Sequence, residues 1–252
     1  MKNKECIMKA EENKNEIEKT QVFNLIILDR SGSMELIREA AIEGFNRTLA
    51  GIKKAQEKYA DTQDHYVSLV TFCGCGIDDV FYRTPVSETR PLTMEDYRPC
   101  CNTPLYDAVV TTLISLYYRV WNIDDSVVVV TIITDGLENA SRKYDGTDIQ
   151  KLVKRLRLEG WTFTYMGANQ DSFEVATNLS IRNARNFSYS NEGTLDSMCK
   201  DANTRMNFFS RLADLKRQEI NGCASVMSEV ERHRRYTDMA DEAFDEEEGK
   251  CQ

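Results

Sequence analysis

Val22-Phe23-Asn24-Leu25-Ile26-Ile27-Leu28-Asp29-Arg30-Ser31-Gly32-Ser33-Met34 is the stretch on which the fold turns. Its first seven residues are apolar except for Asn24. A nearly continuous apolar run of this length is what a strand covered on both faces looks like. The run stops at an acid, and small hydroxyl-bearing residues follow. Residues 35–58 then place Ile37, Ala41, Phe45, Leu49 and Ile52 at helical spacing.

The rest of the chain repeats that alternation. Tyr66–Phe72 reads as a strand, and Asp79–Tyr82 as its short hairpin partner. A loop carrying Pro85, Pro91 and Pro99 follows. Pro104 opens a helix, a favoured first-turn position, with an apolar stripe through Leu105, Ala108, Val109, Leu113, Leu116 and Tyr117. Ser126–Thr134 is the most strand-like segment and is expected at the centre of the sheet. Residues 146–158 read as a helix, 161–166 as a strand, 171–178 as a short helix and 184–188 as a weak last strand. From Leu195 to about Val230 the pattern is helical, interrupted near Asn221-Gly222. The expected fold is α/β: a Rossmann-like, doubly wound, mostly parallel six-stranded sheet with one antiparallel edge strand and helices on both faces. Residues 1–20 form a polar arm, 21–215 the α/β domain, and 216–252 a helical extension ending in an acidic, disordered tail.

The net charge of −9 is concentrated, because residues 238–248 hold seven acids and no base. Setting those seven aside leaves a body near −2. No basic stripe suggests nucleic acid. The basic run Arg232–Arg235 reads as a solvated helix face. The longest strongly apolar stretch, Val127–Ile133, is too short to span a bilayer. The first twenty residues, rich in Lys and Glu, do not read as a secretory signal. The expected location is the cytoplasm, where the eight cysteines would be mostly reduced thiols.

In a doubly wound sheet, ligands bind at the carboxyl ends of the strands, where strand order reverses. Three segments fall there: Asp29-Arg30-Ser31-Gly32-Ser33-Met34, Cys101-Asn102-Thr103-Pro104, and Thr134-Asp135-Gly136-Leu137-Glu138. Each has a local reading. Ser31, Ser33 and Thr103 could be helix caps, and Asp135-Gly136 a tight turn. Together they offer two carboxylates and three hydroxyls, all oxygen donors, a set suited to a hard cation such as Mg²⁺, Mn²⁺ or Ca²⁺.

At this point the chain resembles the von Willebrand factor type A family, over roughly Val22 to Leu212, and in particular its intracellular bacterial or phage-type members. The family's Asp-x-Ser-x-Ser appears as Asp29, Ser31 and Ser33. Its middle-loop Thr matches Thr103, and its Asp-Gly matches Asp135-Gly136. The resemblance implies a metal ion-dependent adhesion site at Asp29, Ser31, Ser33, Thr103 and Asp135. Ser31, Ser33 and Thr103 would touch the metal, with Asp29 and Asp135 acting partly through water. It also implies an adaptor role, in which an open metal position takes an Asp or Glu of a partner protein. Met34, Asn102 and Glu138 would line the partner contact. The Cys101-Asn102-Thr103 loop departs from the family's Gly-x-Thr and is expected to be stiffer.

No catalytic role is expected. His65 and His233 read as surface or polar-helix residues, and no nucleophile elbow or phosphate loop is present. A haloacid dehalogenase-type phosphatase would also use an Asp after the first strand, but needs a second acid where Ser31 stands. A metal-independent self-assembly protein, built on the terminal arm and helices, is the third reading. Cys73-Gly74-Cys75 and Cys100-Cys101 could approach the same rim. Their spacings are not those of usual zinc-binding pairs, so they read as ordinary thiols. The acidic tail reads as solubilising; alternatively Glu246 or Glu247 docks on the metal.

Overall fold

The computed structural model describes residues 18–168, 172–222 and 227–250. Most of the polar N-terminal arm, with Cys6, Cys223 and Cys251, lies outside the described residues. Six strands form one sheet: β1 (Thr20–Asp29), β2 (Gln63–Cys73), β3 (Gly76–Pro85), β4 (Ser126–Thr134), β5 (Thr162–Ala168) and β6 (Asn183–Phe187). Their order is β3-β2-β1-β4-β5-β6. All neighbours are parallel except β2 and β3, which form the antiparallel edge, with register shifts around Leu69.

The helices are α1 (Arg38–Lys58), α2 (Leu105–Val120), α3 (Gly146–Leu158), α4 (Ser172–Asn178), α5 (Asn191–Ile220) and α6 (Glu229–Gly249). A short 3-10 turn, Gly32–Ile37, precedes α1. The period of two in β1 divides the core. Val22, Ile26 and Leu28 pack into one apolar cluster with α1, α5 and α6, while Phe23, Leu25 and Ile27 pack into another with α2, α3 and α4. Both faces are covered, which is why β1 shows no polar alternation.

The strand order decides where a site can form. From β1 the chain builds outward through β2 to β3, then crosses back to lay β4 on the other side of β1. The reversal therefore lies between β1 and β4, and Leu28 pairs with Ile133 just before both strands end. Asp29 and Asp135 leave adjacent strands at that switch point.

Two expectations need correcting. His65 is not a surface residue; it is 2% exposed within β2. Its Nε2 lies 3.0 Å from Gln63 Oε1 and its Nδ1 3.4 Å from Asn24 Nδ2. Arg205 can only donate to Asn24 Oδ1, and the Phe209 carbonyl can only accept from Gln63 Nε2. These fixed partners orient both amides, so His65 is neutral and protonated on Nε2. Burial depresses its pKa from 6.5 to about 3, with the Arg205 charge adding to the effect.

The acidic segment is not a disordered tail but the second half of α6, opened by a capping box between Ser228 and Glu231. Tyr236, Met239, Ala240, Ala243 and Phe244 bury one face of it. Its acids meet bases from other elements: Asp241 with Arg157, Asp245 with Arg182, Glu242 and Glu246 with Arg211, and Glu248 with Arg185. Glu246 is thus bonded to Arg211 and Asn207, and Glu247 to Asn203, rather than held out toward a metal.

The polar residues of the strands find partners on a helix. Asn24 and Thr131 are buried and bond to the Arg205–Asp201 pair of α5. Arg205 and Asp201 are 3% and 4% exposed. An ion pair so placed is held by its hydrogen bonds as much as by its charges.

Candidate metal site

The turn after β1 is built from the backbone outward. Asp29 is fully buried. Its Oδ1 accepts from the Ser31 amide at 2.7 Å, and its Oδ2 from the Thr134 hydroxyl at 2.6 Å. The buried Tyr97 hydroxyl donates to the Asp29 carbonyl. Asp29 is consequently the post around which the Ser31–Ser33 turn is wound. Burial pushes its pKa up to about 6, against the hydrogen bonds from Thr134 and Ser31.

The hydroxyls are not used as helix caps. Ser31 stands at the N-cap of the 3-10 turn but makes no side-chain capping bond. Its Oγ lies 3.2 Å from Ser33 Oγ, and Ser33 Oγ donates to Asp135 Oδ1 at 2.8 Å. Pro104, not Thr103, is the N-cap of α2, and it makes no side-chain cap either. The start of α2 is capped from the β4–α3 loop: Glu138 Oε2 accepts from the Tyr106 amide at 2.9 Å, and Ser141 Oγ from the Asp107 amide at 3.0 Å. This leaves Thr103 Oγ1 with no hydrogen bond among the described residues. A Cβ placed on Gly136 would sit 3.2 Å from Thr103 Oγ1 and 3.8 Å from Ser33 Oγ, so both oxygens converge on that glycine.

All five expected ligand positions therefore meet at one rim. Asp29, Ser31 and Thr103 are buried, Asp135 is half-buried and Ser33 is exposed. Burial raises the pKa of Asp135, while the Ser33 hydroxyl and then the nearby Tyr189 hydroxyl pull it back. Its Oδ2 is buried with no hydrogen-bond partner among the described residues. An orphaned carboxylate oxygen is costly, and a cation beside it removes that cost. The donor set is all oxygen, which suits a hard divalent ion. On both grounds the residues fit such a metal.

The three residues expected to face a partner divide. Asn102 is exposed at the rim. Met34 is fully buried in the core and cannot touch a partner. Glu138 turns inward, where its two oxygens accept from the amides of Tyr106, Ala140 and Ser141 and from the Ser141 hydroxyl. Its role is to hold the loop to α2. Asp107 does the same from the other side, accepting from the amides of Arg142, Lys143 and Tyr144.

Sequence reasoning missed several supports. Thr134 and Tyr97 fix Asp29, and the Tyr189 hydroxyl donates to the Ser33 carbonyl. Only Thr134 had a local signal, since it immediately precedes Asp135. Leu36 and Leu137 were also missed; they are 75% and 62% exposed and adjoin the two acidic turns. Cys101 was expected to stiffen its loop, yet it adopts the left-handed φ of 62° that glycine would take more easily. Its carbonyl accepts from the Gly32 amide at 2.9 Å, which brings Thr103 to the rim.

No family model matches the chain, and no curated protein does. Among solved structures it is similar to the pilus adhesin SpaC of Lactobacillus rhamnosus GG in its open conformation, with a TM-score of 0.56 at 12% identity over 75% of this chain. A second form of that adhesin gives 0.56 at 14% identity over 76%. The chain spans 30% and 31% of those adhesin chains. The SpRpn10 VWA domain is matched at a TM-score of 0.48 and 13% identity, covering 71% of this chain and 94% of that one. The likeness is one of fold.

Proposed function

We propose that this chain is a von Willebrand factor type A-like module that binds a partner protein through a divalent metal, with Mg²⁺ as the leading ion and Mn²⁺ or Ca²⁺ as alternatives. The observation that carries this reading is the set of hydroxyls spared from capping, grouped beside an unpartnered buried oxygen of Asp135. Ser31, Ser33 and Thr103 would hold the ion, with Asp29 and Asp135 behind them. When bound, the metal supplies a Lewis-acidic position that neutral ligands leave electrophilic, able to take an Asp or Glu oxygen of the partner.

The chain's own part is positioning. Asp29 holds the Ser31–Ser33 turn, the Cys101 carbonyl draws in the Thr103 loop, and Glu138 fixes the β4–α3 loop to α2. Leu36, Leu137 and Asn102 are exposed on the segments that carry Ser33, Asp135 and Thr103, and they would meet the partner. The site is not built as a phosphatase. Asp29 has no exposed surface and both its oxygens are bonded, so it cannot reach a phosphoester. We place the protein in the cytoplasm as an adaptor. Among the described residues, no helix is long and apolar enough to cross a membrane.

The test is calorimetric titration with Mg²⁺ and Mn²⁺, followed by pull-down from the source cell in Mg²⁺ against chelator. Metal uptake that vanishes in an Asp29→Ala, Ser31→Ala variant, with chelator-sensitive capture of a partner, supports the reading. Wild-type protein that takes up neither ion overturns it.

A further inference from the structure

A second cluster lies on the same loops. We propose that Cys73, Cys75, Cys100 and Cys101 form a thiolate site for Zn²⁺ that clips the β2–β3 turn to the Thr103 loop. Cys73 Sγ lies 3.3 Å from Cys100 Sγ, and Cys75 Sγ lies 3.0 Å from Cys101 Sγ and 3.9 Å from Cys100 Sγ. The sulfurs of Cys73, Cys75 and Cys100 all fall within 4.8 Å of one another. Zinc–sulfur bonds of about 2.3 Å in a tetrahedron put sulfurs about 3.8 Å apart. The contacts of 3.0, 3.3 and 3.9 Å lie about that separation; Cys101 touches Cys75 but stands outside the three-sulfur group, so it would swing in as the fourth ligand.

The spacing that argued against zinc has a structural answer. Paired ligands two to four residues apart are needed when one tight turn must present both sulfurs. Here two separate loops each give two. Cys73 ends β2, and Gly74-Cys75 form the two-residue turn of the β2–β3 hairpin, which folds Cys75 back so that its amide donates to Cys73 Sγ. Cys100 and Cys101 are adjacent and would point apart in an extended chain, but the left-handed backbone of Cys101 turns it back. A side chain other than glycine in that region is strained by on the order of 1 kcal/mol or more. A ligand bond gives that strain a return.

Hydrogen bonds hold the two loops in register. The Cys100 amide donates to the Arg30 carbonyl at 2.9 Å, the Gly74 amide to the Asn102 carbonyl at 2.9 Å, and the Cys75 amide to Cys73 Sγ at 3.4 Å. The thiols are reachable. Cys75 and Cys101 are exposed, Cys100 is half-buried and Cys73 is buried. A cleft of about 380 Å³, bounded by Cys73, Cys75, Asn102, Asp107 and Arg142, opens beside them. Soft sulfur ligands choose zinc over the hard ions that suit the neighbouring oxygen site.

The test uses the full chain, reduced and stripped of metal, titrated with Co²⁺ and then Zn²⁺. The expected result is one Co²⁺ per chain with thiolate charge-transfer and tetrahedral absorption bands, displaced by Zn²⁺, and four of the eight cysteines shielded from a thiol reagent. The signal should be lost in Cys75→Ser, Cys100→Ser and kept in Cys199→Ser. It should also survive in Asp29→Ala, Ser31→Ala, so that failure of the oxygen site and failure of this one are told apart. Reduced wild-type chain showing no thiolate-bound Co²⁺ overturns the proposal without any variant having to fold. So does uptake that persists in the double cysteine variant, or a chain that forms two disulfides in air and takes up no Zn²⁺ once reduced again.

Discussion

At the residue scale, Ser33 and Asp135 are the pair whose loss should act most directly, because each presents an oxygen to the rim and to the other. Ser33→Ala and Asp135→Ala are each expected to abolish Mg²⁺ uptake in calorimetry while leaving the circular dichroism spectrum unchanged. Thr134→Val is subtler. It removes the hydroxyl that holds Asp29 Oδ2, and supporting bonds of this kind typically govern metal affinity by about 10–100-fold. Gly136→Ala puts a methyl 3.2 Å from Thr103 Oγ1 and should weaken Mg²⁺ binding by about tenfold, roughly 1.4 kcal/mol, at unchanged stability. Undiminished affinity in both variants would mean that the ion sits elsewhere. The convergence of Asp29, Ser31, Ser33 and Asp135 was legible because they follow the ends of two strands in short runs, whereas Thr103 lies just before α2, far from any strand end, and was matched through the family resemblance. Met34 was misread because sequence proximity to such a run does not say which way a side chain turns. Glu138 was misread because it closes its own loop onto Ala140 and Ser141 and ties it to the Tyr106 amide, more than thirty residues back at the start of α2. Tyr97 and Tyr189 reach the site only through tertiary folding and carry no local mark.

Among the elements, the face shared by β1, β2, β4 and α5 depends on polar groups that the apolar patterns concealed. Hydrophobic periodicity located the strands because burial on both faces leaves few polar residues to confuse the pattern. It could not show that Asn24 and Thr131 would be matched by Arg205 and Asp201 from a helix far along the chain, or that His65 would be held by Asn24 and Gln63. Removing one member of a buried pair strands the other, at about 3–5 kcal/mol. Asp201→Ala should therefore lower the urea midpoint sharply, whereas a paired apolar replacement, Asp201→Leu with Arg205→Met, should recover much of the loss. His65 adds a pH dependence. Unfolded it gains a proton near pH 6.5, but folded it does so only near 3. The unfolded state thus binds more protons between those values, and stability falls as pH drops below 6.5 by up to about 1.4 kcal/mol per unit. Urea unfolding of wild type and His65→Gln from pH 7 to 5 checks this. The wild-type curve should steepen relative to the variant, and parallel curves would show that His65 is protonated in the native state.

For the whole molecule, the surprise is that the most acidic stretch is a folded part. Composition reads seven acids in eleven residues as a solvated tail. It could not reveal that Arg157, Arg182, Arg185 and Arg211 lie opposite, since they come from other elements. Tyr236, Met239 and Phe244 are buried, at on the order of 1.5–3 kcal/mol each. A chain ending at Met227 should accordingly lose several kcal/mol and melt at a clearly lower temperature in scanning calorimetry; an unchanged melting temperature would mean that α6 is only loosely attached. The opposite margin of the sheet bears on how the molecule behaves in company. β3 presents Asp78 and Asp79 along a strand whose pairing slips around Leu69, and it closes at Pro85. Like charges, a kink and a residue without an amide proton make a poor template for a stranger's backbone. Crowded copies should consequently stay apart along that border, and any filament this protein forms would have to grow from some other surface.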